Sequence, residues 1–124
     1  MKLMTMVNLS SITRGSIWFV DLNPTVGHEH AKRRPCLVIS ANGYNQNGAG
    51  LVVVLPITSR KRDLFWQVPL QPVETGLEKE SYVICDQIRS VSLLRFSACP
   101  VGRVSDYTMA AVEKRSSVLL ALIV

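Results

Sequence analysis

The side chains best suited to chemistry fall in three short segments: His28, Glu29, Arg33 and Arg34 in the first, Thr58, Ser59 and Arg60 in the second, Asp86, Gln87 and Arg89 in the third. Together they supply an imidazole, carboxylates, hydroxyls and several guanidinium groups. Cleaving a phosphodiester without a metal needs a base for the attacking hydroxyl, an acid for the leaving oxygen, and cations on the phosphate charge. The three segments contain each of these types, and RNA would bring its own nucleophile, the 2′-hydroxyl.

Each residue also has an ordinary role open to it. His28 titrates near neutrality like any loop histidine, and Glu29 can simply neutralise neighbouring arginines. Arg34 precedes Pro35, whose ring restricts it to extended backbone. That would aim a planar guanidinium in a fixed direction, or leave a solvated charge at a strand start. Thr58 can close a turn through its hydroxyl, and Asp86 can pair with Arg89 or another arginine. The run Arg60-Lys61-Arg62 beside Phe65 and Trp66 suits a single-stranded nucleic acid, tracked by charge and stacked on rings. Strand alternation turns one of those two aromatics into the core.

The elements that must position these groups are mostly strands. Aromatic and β-branched content predicts strands over residues 15–20, 35–40, 51–57, 65–70, 81–88 and 98–104, with a short helical turn at 91–95. The unbroken apolar run from Leu51 to Ile57 implies burial on both faces, and Pro69 marks its strand as an edge or a strand end. Residues 25–34, 41–50, 58–63 and 71–80 read as loops. Ser105 is a natural N-cap, Asp106 suits the positive end of the helix dipole, and Met109, Val112, Ser116, Leu119 and Ile123 recur at helical spacing. The expected fold is mainly β with a C-terminal helix: a small antiparallel barrel whose loops after the first and third strands can meet over one face.

With 124 residues and 48% hydrophobic content, the chain has enough material for one core without disulfides or metals. We expect residues 1–13 to be a partly disordered leader and 14–124 a single domain. Fourteen Lys and Arg against nine Asp and Glu, a formal charge of +5, attract polyanions, nucleic acid first among them. The odd set Cys36, Cys85 and Cys99, each in an apolar stretch, reads as reduced, buried thiols of a cytoplasmic protein. No Cys/His pattern has zinc-ligand spacing, so neither metal nor cofactor is expected. The first twelve residues are too polar for a secretory segment, and no apolar run reaches the length of a membrane span.

At this point the motifs align with a known family. Arg14-Gly15-Ser16-Ile17-Trp18-Phe19-Val20-Asp21-Leu22-Asn23-Pro24-Thr25-Val26-Gly27-His28-Glu29 resembles the opening of the MazF/PemK toxins, and Arg34-Pro35 with its strand follows as in that family. Tyr44-Asn45-Gln46, Leu55-Pro56-Ile57-Thr58-Ser59 and Cys85-Asp86-Gln87-Ile88-Arg89-Ser90-Val91 then occur in order, so the resemblance spans nearly the whole chain. It implies an SH3-like, CcdB-like barrel and a homodimer that cleaves single-stranded RNA at a short sequence without metal. The products would carry 2′,3′-cyclic phosphate and 5′-hydroxyl ends, and an antitoxin with an acidic, partly disordered segment would hold the enzyme in check.

By the same resemblance Arg34 and Thr58 are the central catalytic residues, and the PemK branch adds His28 and Asp86. Glu29, Ser59, Arg60, Gln87 and Arg89 are expected to contact substrate. The branch also uses an arginine two positions before the aspartate, where this chain has Ile84. That departure weakens an Asp–Arg acid/base pair and shifts weight to Arg34. Two other functions remain open on the same barrel: a CcdB-like, non-enzymatic toxin that binds gyrase, and an RNA-binding barrel without catalysis. Neither needs the reactive segments.

Overall fold

Three apolar runs, Ile17 to Val20, Cys36 to Val38 and Val52 to Ile57, alternate their side chains between two sides and find a core on each. In the computed structural model, which describes residues 11–23, 33–47 and 49–122, these runs form β1 (Ser16–Asp21), β2 (Arg33–Val38) and β3 (Leu51–Thr58), paired antiparallel in succession. Ile17, Leu37, Leu55 and Ile57 enter one cluster. Trp18, Val20, Cys36, Val38, Val52 and Val54 enter the other, which Ile12 and Phe96 complete. Coverage on both faces explains why β3 is apolar throughout instead of alternating.

The outer edge of β3 is shared by two partners. Its first half, Leu51 to Val54, pairs with β6 (Arg89–Ser92), and its end, Ile57 and Thr58, pairs with β5 (Ser81–Ile84). Val53 spends its backbone groups on the β2 side, donating to Ser40 Oγ and accepting from Ile39 N–H. By alternation Pro56 faces the opposite edge, where it has no N–H to offer. The change of partner falls there, and the turn carrying Asp86 and Gln87 lies beside Pro56.

Beyond β5 lies β4 (Gln67–Leu70), an edge strand as Pro69 implied, and β7 (Gly102–Arg103) closes the other side against β1. The sheet order is β4-β5-β3-β2-β1-β7 with β6 beside β3. The result is a curled antiparallel half-barrel with α3 (Asp106–Leu120) packed on one face, the expected fold class. Ser105 caps α3 by accepting from Thr108 N–H at 3.1 Å. Met109 and Val112 are buried, Ser116 and Leu119 half-buried, and Ile123 lies outside the described residues.

Several expected boundaries move. The strand expected to run to residue 88 ends at Ile84, because the chain turns at Cys85 and Asp86. The one expected at 98–104 shrinks to Gly102–Arg103, and β4 starts at Gln67 after a turn at Phe65 and Trp66. Two stretches read as loops contain short helices, α1 (Asn42–Asn45) and α2 (Pro72–Thr75), and the turn expected at 91–95 is a 3₁₀ turn over Leu93–Arg95. Cys36 and Cys85 are buried as expected, and burial pushes both thiols up to about 12. Cys99 is a correction: it is exposed, because its segment is a surface loop before Pro100 and not a strand.

Glu74 joins α2, β7 and α3. Its carboxylate accepts from Gln71 N–H at 3.0 Å, completing a capping box, and from Ser105 N–H at 2.8 Å at the start of α3. Burial works to raise the carboxyl pKa, but the bonds from Ser105, Gln71 and Thr108 together outweigh it and hold it below the usual value. A depressed folded-state pKa adds stability above the unfolded-state value, lost as pH falls through the folded one. Denaturant unfolding between about pH 6 and pH 2 is therefore expected to show an acid-induced decline that Glu74→Gln flattens, together with lower stability at neutral pH. An equal acid decline in the variant would remove Glu74 from the linkage.

Candidate functional site

Arg34 and Thr58 come together through strand register. The β2–β3 ladder ends at Cys36 opposite Pro56, and Arg34 and Thr58 lie two residues further along their strands, on the same face as that pair by alternation. Both strands are anchored in the core at this point, and Pro35 keeps the preceding residue extended. The two residues line the same two adjoining grooves.

The Arg34 side chain is half-buried, and its Nε, shielded from solvent, has no hydrogen-bond partner among the described residues. A buried donor on a charged group left in this state costs about 1–3 kcal/mol, so the position favours an incoming anion. Thr58 is buried, and its Oγ1 accepts from Arg60 N–H at 3.1 Å. The turn-closing role foreseen for this hydroxyl is therefore present. It uses only a lone pair and leaves the hydroxyl proton for a further acceptor.

The basic loop after β3 is held by a residue that the sequence did not single out. Gln67 accepts from Arg62 N–H at 2.8 Å through Oε1 and donates from Nε2 to Arg60 O at 3.0 Å, fastening the loop at two points. From the other side Arg115 of α3 donates to Phe65 O at 3.1 Å and lies 5.1 Å from the Phe65 ring centroid. Trp66 packs against the core while Phe65 stays exposed, the division foreseen for the pair. A glutamine two residues before a strand proline carries no periodic signal, which is why composition and spacing passed it over.

The third segment closes the groove. Asp86 and Gln87 leave the turn after β5 and line it together with Arg34, Thr58, Ser59, Arg60 and Ile84, enclosing about 780 Å³. Three guanidinium groups, those of Arg34, Arg60 and Arg62, face one carboxylate there. Asp86 is exposed and makes no ion pair with a described residue, so the structural pairing with Arg89 open to it is not found. Arg89 lines a smaller neighbouring recess of about 170 Å³ that shares Asp86 and Gln87. Arg33 alternates away from Arg34 and stacks 5.7 Å from the Phe19 ring. His28 and Glu29 lie outside the described residues. Cys36 remains a thiol: burial outweighs the lowering influence of Arg89 and Arg34, which leaves it a poor nucleophile or metal ligand.

The groove thus offers guanidinium donors for a phosphate, a hydroxyl with a free proton, and a carboxylate able to exchange one. Comparisons with known proteins bear on what such a groove is used for. Residues 13–120 match the sequence profile of the family described as "PemK-like, MazF-like toxin of type II toxin-antitoxin system". Endoribonuclease MazF9 of Mycobacterium tuberculosis is 36% identical over 106 residues, covering 82% of this chain and 89% of the relative. Endoribonuclease PemK of Escherichia coli is 34% identical over 114 residues, covering 90% and 84%. The crystal structure of MazF from Deinococcus radiodurans superimposes with a TM-score of 0.77 at 28% identity, covering 89% of this chain and 96% of that one.

Proposed function

Because the chain belongs to the family of PemK-like, MazF-like toxins of type II toxin-antitoxin systems, we propose that it is the toxin of such a pair and an endoribonuclease that cuts single-stranded RNA at a short sequence without metal. The observation that supports this is that Arg34 and Thr58 line one groove together with Arg60, Arg62 and Asp86. The endoribonuclease names of MazF9 and PemK support it.

In this reaction the 2′-hydroxyl attacks the adjacent phosphorus and the bond to the 5′-oxygen breaks. The ends are a 2′,3′-cyclic phosphate and a 5′-hydroxyl. Arg34 holds the charge that builds on the phosphoryl oxygens through its guanidinium, and Thr58 donates a hydrogen bond from its hydroxyl to one of them. Asp86, together with His28, is left to move protons between the attacking and leaving oxygens. Ser59, Arg60, Gln87, Arg89 and Glu29 contact the strand. Ile84 lines the groove at the position where, by the family resemblance, an arginine would assist Asp86, and this supports assigning the phosphate charge to Arg34.

A non-enzymatic, gyrase-binding toxin would have no use for an Arg–Thr pair with spare donors, so the ribonuclease is the reading we retain. An antitoxin with an acidic segment would compete with RNA for the same guanidinium groups. The homodimer implied by the family has a candidate surface in α3 and the residues after it, where Tyr107, Val118 and Leu122 are exposed. Among the described residues no helix is long and apolar enough to cross a membrane.

Digestion of a long single-stranded RNA in excess EDTA tests the proposal. We expect cleavage to persist under chelation, to leave cyclic phosphate ends, and to weaken with added salt as phosphate contacts are screened. Intact RNA after incubation with folded, antitoxin-free protein would sink it.

A further inference from the structure

The clamped loop is a ridge with a groove on each side. Behind it lies a second groove of about 520 Å³, walled by Lys61, Asp63, Phe65, Gln71, Glu80 and Tyr82. Leu64 and Gln67 line both this groove and the one containing Arg34 and Thr58, and Ser81 lines it and the smaller groove beside them. The two grooves therefore adjoin across the loop.

Their charges differ. The first groove sets three arginines against Asp86. The second has one lysine against two carboxylates, and Lys61 is already paired with Asp63 at 3.5 Å. A phosphate is drawn to the first and repelled from the second. The second offers other contacts. Phe65 is held by Arg115 and by Trp66, whose ring stands edge-on at 5.3 Å, yet it stays 45% exposed. Glu80 accepts from Tyr82 OH at 3.4 Å, which orients its carboxylate at the groove wall. An anchored aromatic beside oriented acceptors suits a flat, uncharged ring that carries hydrogen-bond donors.

We infer that this second groove is a base-recognition subsite for a nucleotide neighbouring the cleaved bond, stacking its base on Phe65 and selecting a base with an exocyclic amino group through Glu80. The inference rests on the ribonuclease reading and deepens it. Cytosine presents its N4 amino group to a carboxylate, a favourable pairing. Uracil presents O4 at the same position, so two acceptors would face each other. The phosphate between the two nucleotides then crosses the ridge, where Arg60 and Lys61 stand.

Uncleavable 2′-O-methyl oligonucleotides of cytidine and of uridine, titrated by fluorescence anisotropy, test this independently of catalysis. The wild-type protein is expected to bind the cytidine strand roughly tenfold more tightly. Glu80→Gln should erase that ratio, since the amide can donate to O4, and Phe65→Ala should weaken both strands by a similar factor. Arg60→Ala should weaken both equally and leave the ratio intact. Thermal unfolding of each variant reports whether the fold survives. Equal affinity for the two strands in the wild type, or a wild-type ratio in folded Glu80→Gln, overturns the subsite. So does competition by an acidic peptide that Phe65→Ala abolishes while RNA binding is unchanged, because the groove is then an antitoxin site. Cleavage of long RNA by the wild type is read in parallel: its absence fells the ribonuclease reading, its presence with no base preference fells only the subsite.

Discussion

Arg34→Ala is expected to lower the rate of RNA cleavage by about 10³-fold while leaving the protein folded. The loss follows from the place of the guanidinium. Among the described residues no other cation of the groove projects from a strand of the core, since Arg60 and Arg62 stand on the loop. Stability should stay level or rise, because the substitution removes a buried Nε that has no partner among the described residues. Arg34→Lys should recover only part of the rate, as a point charge lacks the planar fork that holds two oxygens at once. Thr58→Ala removes one neutral donor and should cost less, about 10²-fold. Single-turnover rates on one oligonucleotide, paired with unfolding midpoints, check all three. A rate within threefold of wild type in folded Arg34→Ala would take the residue out of the mechanism, and an unchanged rate in Thr58→Ala would do the same for Thr58.

Gly102→Ala is expected to be strongly destabilising although it lies outside the two cores. A methyl group there would stand 2.4 Å from Glu74 O and 2.6 Å from Thr75 O, both backbone atoms that no rotamer change can move aside. The opposing surface is equally tight, since a methyl on Gly76 would meet Val101 O at 2.5 Å and that residue has φ +67°. Relief requires α2 and β7 to separate, which pulls Glu74 from the α3 cap and strains the pairing of Ile17 with Gly102. We expect a cost of about 3 kcal/mol and a fall in melting temperature on the order of 10 °C. A fall of under about 2 °C would mean that the two backbones do not meet so closely.

Most of this fold is legible in the chain because its signals are local and repeated. Pro35 and Pro69 each mark a strand property, and the apolar run of β3 announces a strand covered on both faces. The meeting of Arg34 and Thr58 in one groove is legible only through the whole motif series, because it depends on how two separate strands are placed side by side. Helix α2 escaped because four residues carry no helical period. Its end signals, Gln71, Pro72 at the first turn and Glu74 reaching back, were present in a stretch read as loop. Cys99 was misjudged from apolar neighbours, although the proline after it argued for a loop. The clamp by Gln67 was invisible because a glutamine side chain binding a loop backbone depends on tertiary approach alone.

That clamp separates two kinds of inheritance. Arg34 and Thr58 are rooted in strands whose neighbours fill both cores, so changes around them threaten folding as well as the cleavage proposed for them. Residues 60–65 are exposed and held by Gln67 and Arg115 through backbone atoms of Arg60, Arg62 and Phe65, bonds that do not depend on which side chains the loop displays. On the proposed function, descendants of such a protein could diverge in the RNA they select by rewriting one short loop while Arg34 and Thr58 are passed on unaltered.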